Sequence, residues 1–182
     1  MKNIGLIGCG NIAETYFRSK DYFNNINFIA CSDKFPEAAK KCAAQYKIKS
    51  LTVDEILNDS DVDVILNLTI PQAHYEISKL ALESGKHVYS EKPISIKYDE
   101  AKELVELANK KNLYIGNAPD TFLGGGGQVA RQFVDRDDIG QVLTGNFIFA
   151  FPGVQEFHPN PESWFQSGGG PVIDMGPYFF TT

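Results

Sequence analysis

A short segment near the start of the chain has the residue types needed to bind a phosphate group. Residues 8–13 read GCGNIA and follow an apolar run that is typical of a buried strand. Gly8 permits a tight turn, Gly10 lets the backbone approach a pyrophosphate, and the small Ala13 lets a following helix pack closely on the strand. The N–H groups at the start of that helix then face the anion. This spacing predicts a dinucleotide-binding loop and not only a glycine-rich turn.

Asp33 stands where such a loop requires a carboxylate. It ends the second apolar run, roughly 20 residues beyond the glycines, where it can accept hydrogen bonds from the adenosine ribose hydroxyls. A carboxylate repels a 2′-phosphate, so Asp33 favours NAD and leaves NADP as the alternative, although the neighbouring Lys34 softens the repulsion. Asp33 could also cap a helix that starts near Pro36, and the two roles are compatible.

Polar residues also follow two later strand-like runs. Thr69 and Pro71 end one run, and His74 comes soon after, where it could contact a cofactor phosphate or ribose, or pack on the sheet as a first-turn helix residue. The tripeptide EKP at 91–93 follows the next run. Because hydride transfer requires a substrate hydroxyl to lose its proton, Lys92 is the first candidate for chemistry. The same tripeptide is also common in surface loops.

The elements that must position these residues alternate between strand-like and helix-like patterns. Helices are predicted from near Pro36, over 74–83 and over 98–110, where apolar residues recur at helical spacing. Strands are predicted over 3–7, 27–32, 62–68, 87–89 and 113–116. This alternation predicts an α/β fold, a doubly wound parallel Rossmann sheet with helices on both faces. Its strand ends would bring the candidate residues to one edge.

The pattern changes after Asn117, where glycine and proline become frequent. We therefore expect a nucleotide-binding Rossmann domain over residues 1–118 and an incomplete start of a second, substrate-binding α/β domain over 119–182. Within the second domain we expect a flexible interdomain loop at 124–127, a helix to about residue 133, a strand over 142–151 and a helical last segment. Phe147, Phe149 and Phe151 would pack along one face of that strand. Because a lone strand leaves unpaired edges, we expect a fragment of a longer protein or a partner chain at that edge.

Composition and charge exclude several classes of protein. The sequence is 43% hydrophobic and 22% charged, as in ordinary globular proteins, and its net charge of −6 with no basic run argues against a nucleic-acid partner. No apolar stretch approaches the roughly 20 residues that span a bilayer, and no signal-peptide pattern is present, so a cytoplasmic location is expected. Cys9, Cys31 and Cys42 lack metal or disulfide spacing and are interpreted as buried thiols, so no metal site is predicted.

Three motifs occur in an order that resembles a known family. They are the opening GLIGCGNIAETY, SEKP after a strand and the late GGGPVIDMG. Over essentially its whole length the chain is similar to the glucose-fructose oxidoreductase/inositol dehydrogenase (Gfo/Idh/MocA) family. The resemblance implies a Rossmann domain followed by an α/β domain with an open, mostly antiparallel sheet, acting on sugars, cyclitols or their derivatives. Members of the family continue well beyond this point and often form homo-oligomers through the second sheet.

The resemblance also assigns site residues. The family's catalytic lysine falls on Lys92. Many members carry an Asp and a His four residues apart on a helix of the second domain; Asp174 matches the first, whereas Tyr178 takes the place of the histidine. Tyrosine is a poorer base than histidine at neutral pH, and both residues could instead be structural. The family's cofactor-binding residues fall on Gly8, Gly10, Asn11, Ile12, Asp33, Thr69, Pro71, His74, Glu91, Lys92 and Asn117.

Together these observations predict an NAD-dependent dehydrogenase of sugars or small polyols, with NADP as the alternative cofactor. Lys92, aided by Asp174 and Tyr178, would accept or relay the hydroxyl proton. The same architecture could serve a reductase of an aldose, an imine or a tetrapyrrole. A non-catalytic nicotinamide-binding module, or a truncated chain that binds cofactor without turnover, would need the glycine loop and Asp33 but not Lys92 or Asp174.

Overall fold

The computed structural model describes residues 1–146, 148, 150, 153–156, 161–165 and 170–181. The chain divides into two compact units, Met1–Ala118 and Pro119–Thr182. Within the described residues, no helix is long and apolar enough to cross a membrane.

The first unit contains a six-stranded parallel sheet, which confirms the predicted α/β fold. The strands are β1 (Lys2–Ile7), β2 (Ile26–Ser32), β3 (Lys49–Ser50), β4 (Val64–Asn67), β5 (His87–Ser90) and β6 (Ile115–Asn117). Their order across the sheet is β3-β2-β1-β4-β5-β6. All five predicted strands are present, and the additional two-residue β3 is too short to give a periodic signal.

Helices connect the strands of this unit. They are α1 (Asn11–Ser19), α2 (Pro36–Tyr46), α3 (Val53–Asn58), α4 (Pro71–Glu83) and α5 (Tyr98–Lys111). Pro71 occupies the first turn of α4, so that helix begins before the predicted residue 74. Gly85 follows the end of α4 with a φ of 79°, a left-handed conformation that glycine adopts without strain. The short α3 was not predicted, although a capping box formed by Thr52 and Glu55 marks its start.

The sheet is buried on both faces. Ile7 and Ile65 pack in one apolar cluster, whereas their chain neighbours Leu6 and Leu66 pack in a second cluster on the opposite face. Successive side chains of a strand point to opposite faces, so the continuous apolar runs of β1 and β4 require helices on both sides. This packing fixes the strand ends, and with them the loops that carry the candidate residues.

The second unit differs from its prediction in two places. The expected strand over 142–151 is wrong for its described part, because residues 142–146, 148 and 150 have no strand conformation. A strand requires a hydrogen-bonded neighbour, and β-like composition alone does not supply one. Phe147, Phe149 and Phe151 lie outside the described residues. The expected flexible loop at 124–127 is instead helical from Gly125 onward, and Gln128 N–H donates to the Gly124 carbonyl.

The remaining described elements of the second unit are helical. Thr121–Leu123 and Val154–Glu156 form single 3₁₀ turns. The α-helices are α6 (Gly125–Asp135), α7 (Pro161–Trp164) and α8 (Pro171–Thr181). The helices predicted near residue 133 and at the end of the chain are therefore present as α6 and α8.

Candidate nucleotide-binding site

The carboxyl ends of five strands form one row across the sheet. The register places Ser32, Ile7, Asn67, Ser90 and Asn117 side by side in neighbouring strands. The strand order changes side between β1 and β4, because β2 and β3 lie on one side of β1 and β4 to β6 lie on the other. Ligands of open α/β sheets bind outside the strand ends at such a point. The loops that leave this row carry most of the residues predicted for the cofactor.

The two glycines of the first loop answer to different constraints. Gly8 has a φ of 104°, and a Cβ built on it would lie 2.5 Å from the carbonyl group of Leu68. Only glycine fits there, because both the backbone conformation and the approach of Leu68 exclude a side chain. A Cβ on Gly10 would meet no atom within 4 Å.

That open space lies at the start of a helix. Gly10 is the N-cap residue of α1 and has no side chain with which to cover the first N–H groups of the helix. Ala13 is buried and Ile12 is exposed on the same first turn. An open space beside uncovered helix N–H groups fits a pyrophosphate, so the residues present match the predicted dinucleotide.

Asp33 is held against the glycine loop by its own hydrogen bonds. Its Oδ2 atom accepts from the Cys9 N–H at 2.7 Å, and its Oδ1 atom accepts from the Phe35 N–H at 2.8 Å. The second bond closes a turn ahead of α2, but Phe35 is the N-cap residue of that helix and no side chain caps it, so the helix-capping role considered for Asp33 is wrong. The first bond fixes the carboxylate next to the loop, where the ribose role requires it. The ribose role of Asp33 stays a prediction.

Glu91 and Asn117 connect the β5 loop to its neighbours. Tyr16, on α1, donates its hydroxyl to Glu91 Oε1 at 2.8 Å, and the Lys92 N–H donates to Glu91 Oε2 at 3.1 Å. Asn117 donates its amide to the carbonyls of Ser90 and Glu91, both at 2.9 Å. Lys92 is half-buried in this loop. These contacts hold the lysine-bearing segment between α1 and β6.

His74 contacts the loops that leave β4 and β5. Its ring is almost fully buried, with Nδ1 lying 2.6 Å from the Pro93 carbonyl oxygen and Nε2 lying 2.9 Å from the Thr69 carbonyl oxygen. Both ring nitrogens thus face backbone acceptors of the two loops. This geometry favours a positioning role for His74, because the ring links the Thr69 loop to the residue that follows Lys92.

Residues 2–118 match the Gfo/Idh/MocA family model, described as an oxidoreductase family with an NAD-binding Rossmann fold. The chain belongs to this family. An uncharacterized oxidoreductase of Schizosaccharomyces pombe is 33% identical over 146 residues, which is 77% of this chain and 38% of that protein. The dTDP-3,4-didehydro-2,6-dideoxy-α-D-glucose 3-reductase of Saccharopolyspora spinosa is 26% identical over 179 residues, 96% of this chain and 53% of the reductase.

A solved structure has the same fold. KijD10, a 3-ketoreductase from Actinomadura kijaniata in complex with NADP and TDP-benzene, aligns with a TM-score of 0.85 at 24% identity. The alignment covers 97% of this chain and 55% of KijD10. The chain thus spans about half the length, or less, of these three proteins.

The two catalytic candidates of the second unit lie on α8. Asp174 and Tyr178 are one helical turn apart and both are half-buried. Residues at this spacing share a helix face, as the family's Asp and His pair would. Pro177 lies inside the helix between them. Lys92 belongs to the first unit of this Gfo/Idh/MocA chain, and Asp174 and Tyr178 belong to the second.

A buried polar group behind the β4 loop was not found by sequence reasoning. Asn67 is fully buried, donates its amide to the His74 carbonyl and the Ser78 hydroxyl, and accepts from both the N–H and the hydroxyl of Thr69. The signal available in the sequence was an asparagine at the end of the apolar run VILN. Its partners lie on α4, several residues away, so only the folded chain reveals the group.

Three thiols also meet beside the glycine loop. Cys9, Cys31 and Cys42 place their Sγ atoms within 4.8 Å of one another. The neighbouring thiols of Cys31 and Cys9 lower the pKa of Cys42. The two neighbouring thiols raise the pKa of Cys9, and the Cys42 thiol together with burial raises the pKa of Cys31. The irregular spacing of these residues in the sequence gave no indication of this cluster.

Proposed function

We propose that this protein is an NAD-dependent oxidoreductase that transfers a hydride between nicotinamide and a sugar, a cyclitol or a related small polyol. NADP is the alternative cofactor. The observation that carries the proposal is the row of strand ends, which presents the glycine loop, Asp33 and the Lys92 loop at one edge of a Rossmann sheet. The relatives named above support a sugar-like substrate, since one is a nucleotide-sugar reductase and another a 3-ketoreductase.

The cofactor would be bound by two groups of residues. On the β1 and β2 side, the α1 N–H groups beside Gly10 would bind the pyrophosphate, and Asp33 would accept from the ribose hydroxyls. The same side is proposed to include Gly8, Asn11 and Ile12. On the β4 to β6 side, the residues proposed to contact the cofactor are Thr69, Pro71, His74, Glu91, Lys92 and Asn117.

The bound nicotinamide supplies the hydride acceptor or donor. The protein must supply the proton transfer, and Lys92 is proposed to accept or return the proton of the substrate hydroxyl. Asp174 and Tyr178 are proposed to assist, as a carboxylate and a hydroxyl on one face of α8. His74 is proposed as a positioning residue, because its ring links the Thr69 loop to Pro93 next to the lysine.

Residues 119–182 are proposed as the start of a substrate-binding α/β domain. The second candidate function is a non-catalytic nicotinamide-binding module, which needs the glycine loop and Asp33 but not Lys92 or Asp174.

A titration and a turnover assay separate these functions. NADH and NADPH are titrated into the chain, and sugars and inositols are then screened for a change in nicotinamide absorbance. Micromolar NADH binding with turnover that Lys92→Ala abolishes would support the dehydrogenase. Lys110→Ala, at the exposed end of α5, is the matched control and should retain turnover. Binding without turnover would favour the module. If a folded chain binds neither nucleotide, both functions are excluded.

A further inference from the structure

The three cysteines of the chain come from different elements and point to one place. Cys9 lies in the glycine loop, Cys31 in β2 and Cys42 in α2. Cys31 and Cys42 are buried, and Cys9 is partly exposed. Among the described residues, these three cysteines are the group whose potential ligand atoms lie close enough together to bind one metal ion.

The separation of the sulfur atoms fits a single metal ion. Three sulfurs at the 4.8 Å limit leave a centre about 2.8 Å from each, whereas a zinc–thiolate bond is about 2.3 Å long. A shift of about half an ångström by each side chain would therefore complete the coordination, and less where the sulfurs are already closer. Side-chain rotation alone can supply a movement of this size.

If the thiols lose their protons, the two backbone carbonyls that they contact still accept hydrogen bonds from other donors. The Cys9 thiol donates to the Ser32 carbonyl at 3.4 Å, but that carbonyl also accepts from the Gly8 N–H at 2.9 Å. The Cys31 thiol donates to the Ala39 carbonyl at 3.4 Å, which lies inside α2 and accepts from the helix as well.

We propose that Cys9, Cys31 and Cys42 form a three-thiolate binding site for a thiophilic d¹⁰ cation, Zn²⁺ or Cu⁺. Thiolate sulfur selects these ions over the hard cations that prefer oxygen. When Zn²⁺ binds, three sulfur–metal bonds form and the thiol protons pass to water, which makes the affinity pH-dependent. A fourth ligand could approach from the partly exposed side of Cys9.

The test uses the reduced chain under anaerobic conditions with Co²⁺ as a spectroscopic substitute for Zn²⁺. We expect a sulfur-to-cobalt charge-transfer band that saturates at one ion per chain and disappears when Zn²⁺ is added. Competition with a chromophoric chelator gives the Zn²⁺ affinity, and a parallel titration with Cu⁺ determines which ion binds more tightly. Saturation by either ion at this stoichiometry supports the site.

Cys42→Ser tests whether all three sulfurs bind. It should lower the affinity by more than about 100-fold, since loss of even an outer partner of a metal ligand lowers affinity by roughly 10–100-fold. Ala38→Ser, on the same helix, keeps every thiol and should leave the affinity unchanged. If Cys42→Ser does not fold, Cys9→Ser replaces it. If neither Zn²⁺, followed through Co²⁺, nor Cu⁺ saturates at one ion per chain, or if these cysteine variants leave the affinity unaltered, the proposal is overturned and the thiols are core packing.

Discussion

Gly8 and Gly10 lie two residues apart, yet substitution should affect them differently. Gly8→Ala places a side chain at a φ of 104° and against the Leu68 carbonyl, so it should lower the free energy of unfolding by about 2 kcal/mol or more. Gly10→Ala meets no protein atom and should leave the melting temperature nearly unchanged while weakening NADH binding at least tenfold. Thermal unfolding and NADH titration of both variants measure this difference. Equal NADH affinity of Gly10→Ala and the parent chain would show that the pyrophosphate does not bind at this loop.

Asp33 should control the choice between NADH and NADPH. Asp33→Asn removes the negative charge that repels a 2′-phosphate but keeps one oxygen to accept a hydrogen bond. We expect the ratio of the NADPH to the NADH dissociation constant to fall about tenfold, or about 1.4 kcal/mol. Asp21→Asn, an exposed change on the turn after α1, is the control and should leave the ratio unchanged. An unaltered ratio in Asp33→Asn would show that its carboxylate does not face the ribose.

The residues of the site differ in how far the sequence can predict them. The glycine loop and Asp33 are predictable, because a tight turn, a helix start and a strand end each leave a local pattern. The contact of Tyr16 with Glu91 and the burial of Asn67 are not, since each depends on residues that meet only after folding. The thiol cluster belongs to the second kind, because Cys9 and Cys42 are 33 residues apart in the sequence.

At the scale of elements, β4 is joined to α4 by a buried polar side chain. Asn67→Ala would leave the Ser78 hydroxyl and the Thr69 N–H without their present partner. We expect the free energy of unfolding to fall by about 2–3 kcal/mol, because unsatisfied buried polar groups and a small cavity add. Asn27→Ala, a half-buried asparagine with one long bond to Asn3, should have a much smaller effect. Urea unfolding of both variants measures the difference, and equal midpoints would contradict the role of this group.

Asp63 joins the start of β4 to β1 and makes stability depend on pH. The Asn3 N–H, at 2.8 Å, and the Lys2 ammonium hold the pKa of Asp63 below its ordinary value. A group whose pKa is lowered in the folded state adds stability above its unfolded pKa of about 3.9 and loses it as pH falls through the folded value. Asp63→Asn should therefore flatten the loss of stability in acid, measured as the urea midpoint against pH. Asp21→Asn, the control, should follow the parent curve. If Asp63→Asn also follows the parent curve, Asp63 is not the cause of the loss of stability in acid.

The elements themselves were predictable where two levels of pattern agreed. The strands of the first unit combine an apolar run with a following turn or helix signal, and all of the predicted ones are found. The strand expected over 142–151 rested on β-like composition, and its described residues have no strand conformation. A strand is stable only when its backbone is hydrogen-bonded to a neighbouring strand. Parallel neighbours meet this requirement in the first unit, but the sequence pattern over 142–151 does not show whether a neighbour is present.

At the scale of the whole molecule, the two units bury apolar side chains to different extents. The first unit has two apolar clusters packed against a sheet. In the described part of the second unit, Leu143, Ile148 and Phe180 are each more than 80% exposed. Burial of apolar area is the main source of stability, so the second unit should open more readily than the first.

Limited proteolysis should therefore separate the units. Trypsin should cleave first within residues 119–182, where Arg131 and Arg136 are exposed, and leave a resistant product that contains the sheet. NADH should slow the later loss of that product, because a ligand that binds only the folded state stabilises it, whereas early cleavage should be unaffected. Mass spectrometry of timed samples identifies the cleavage sites.

Gly10→Ala is the control, since it should show the same early cleavage without protection by NADH. Equal rates of cleavage in both units would contradict the inferred difference in local stability, and protection of the Gly10→Ala variant by NADH would place the nucleotide away from the glycine loop.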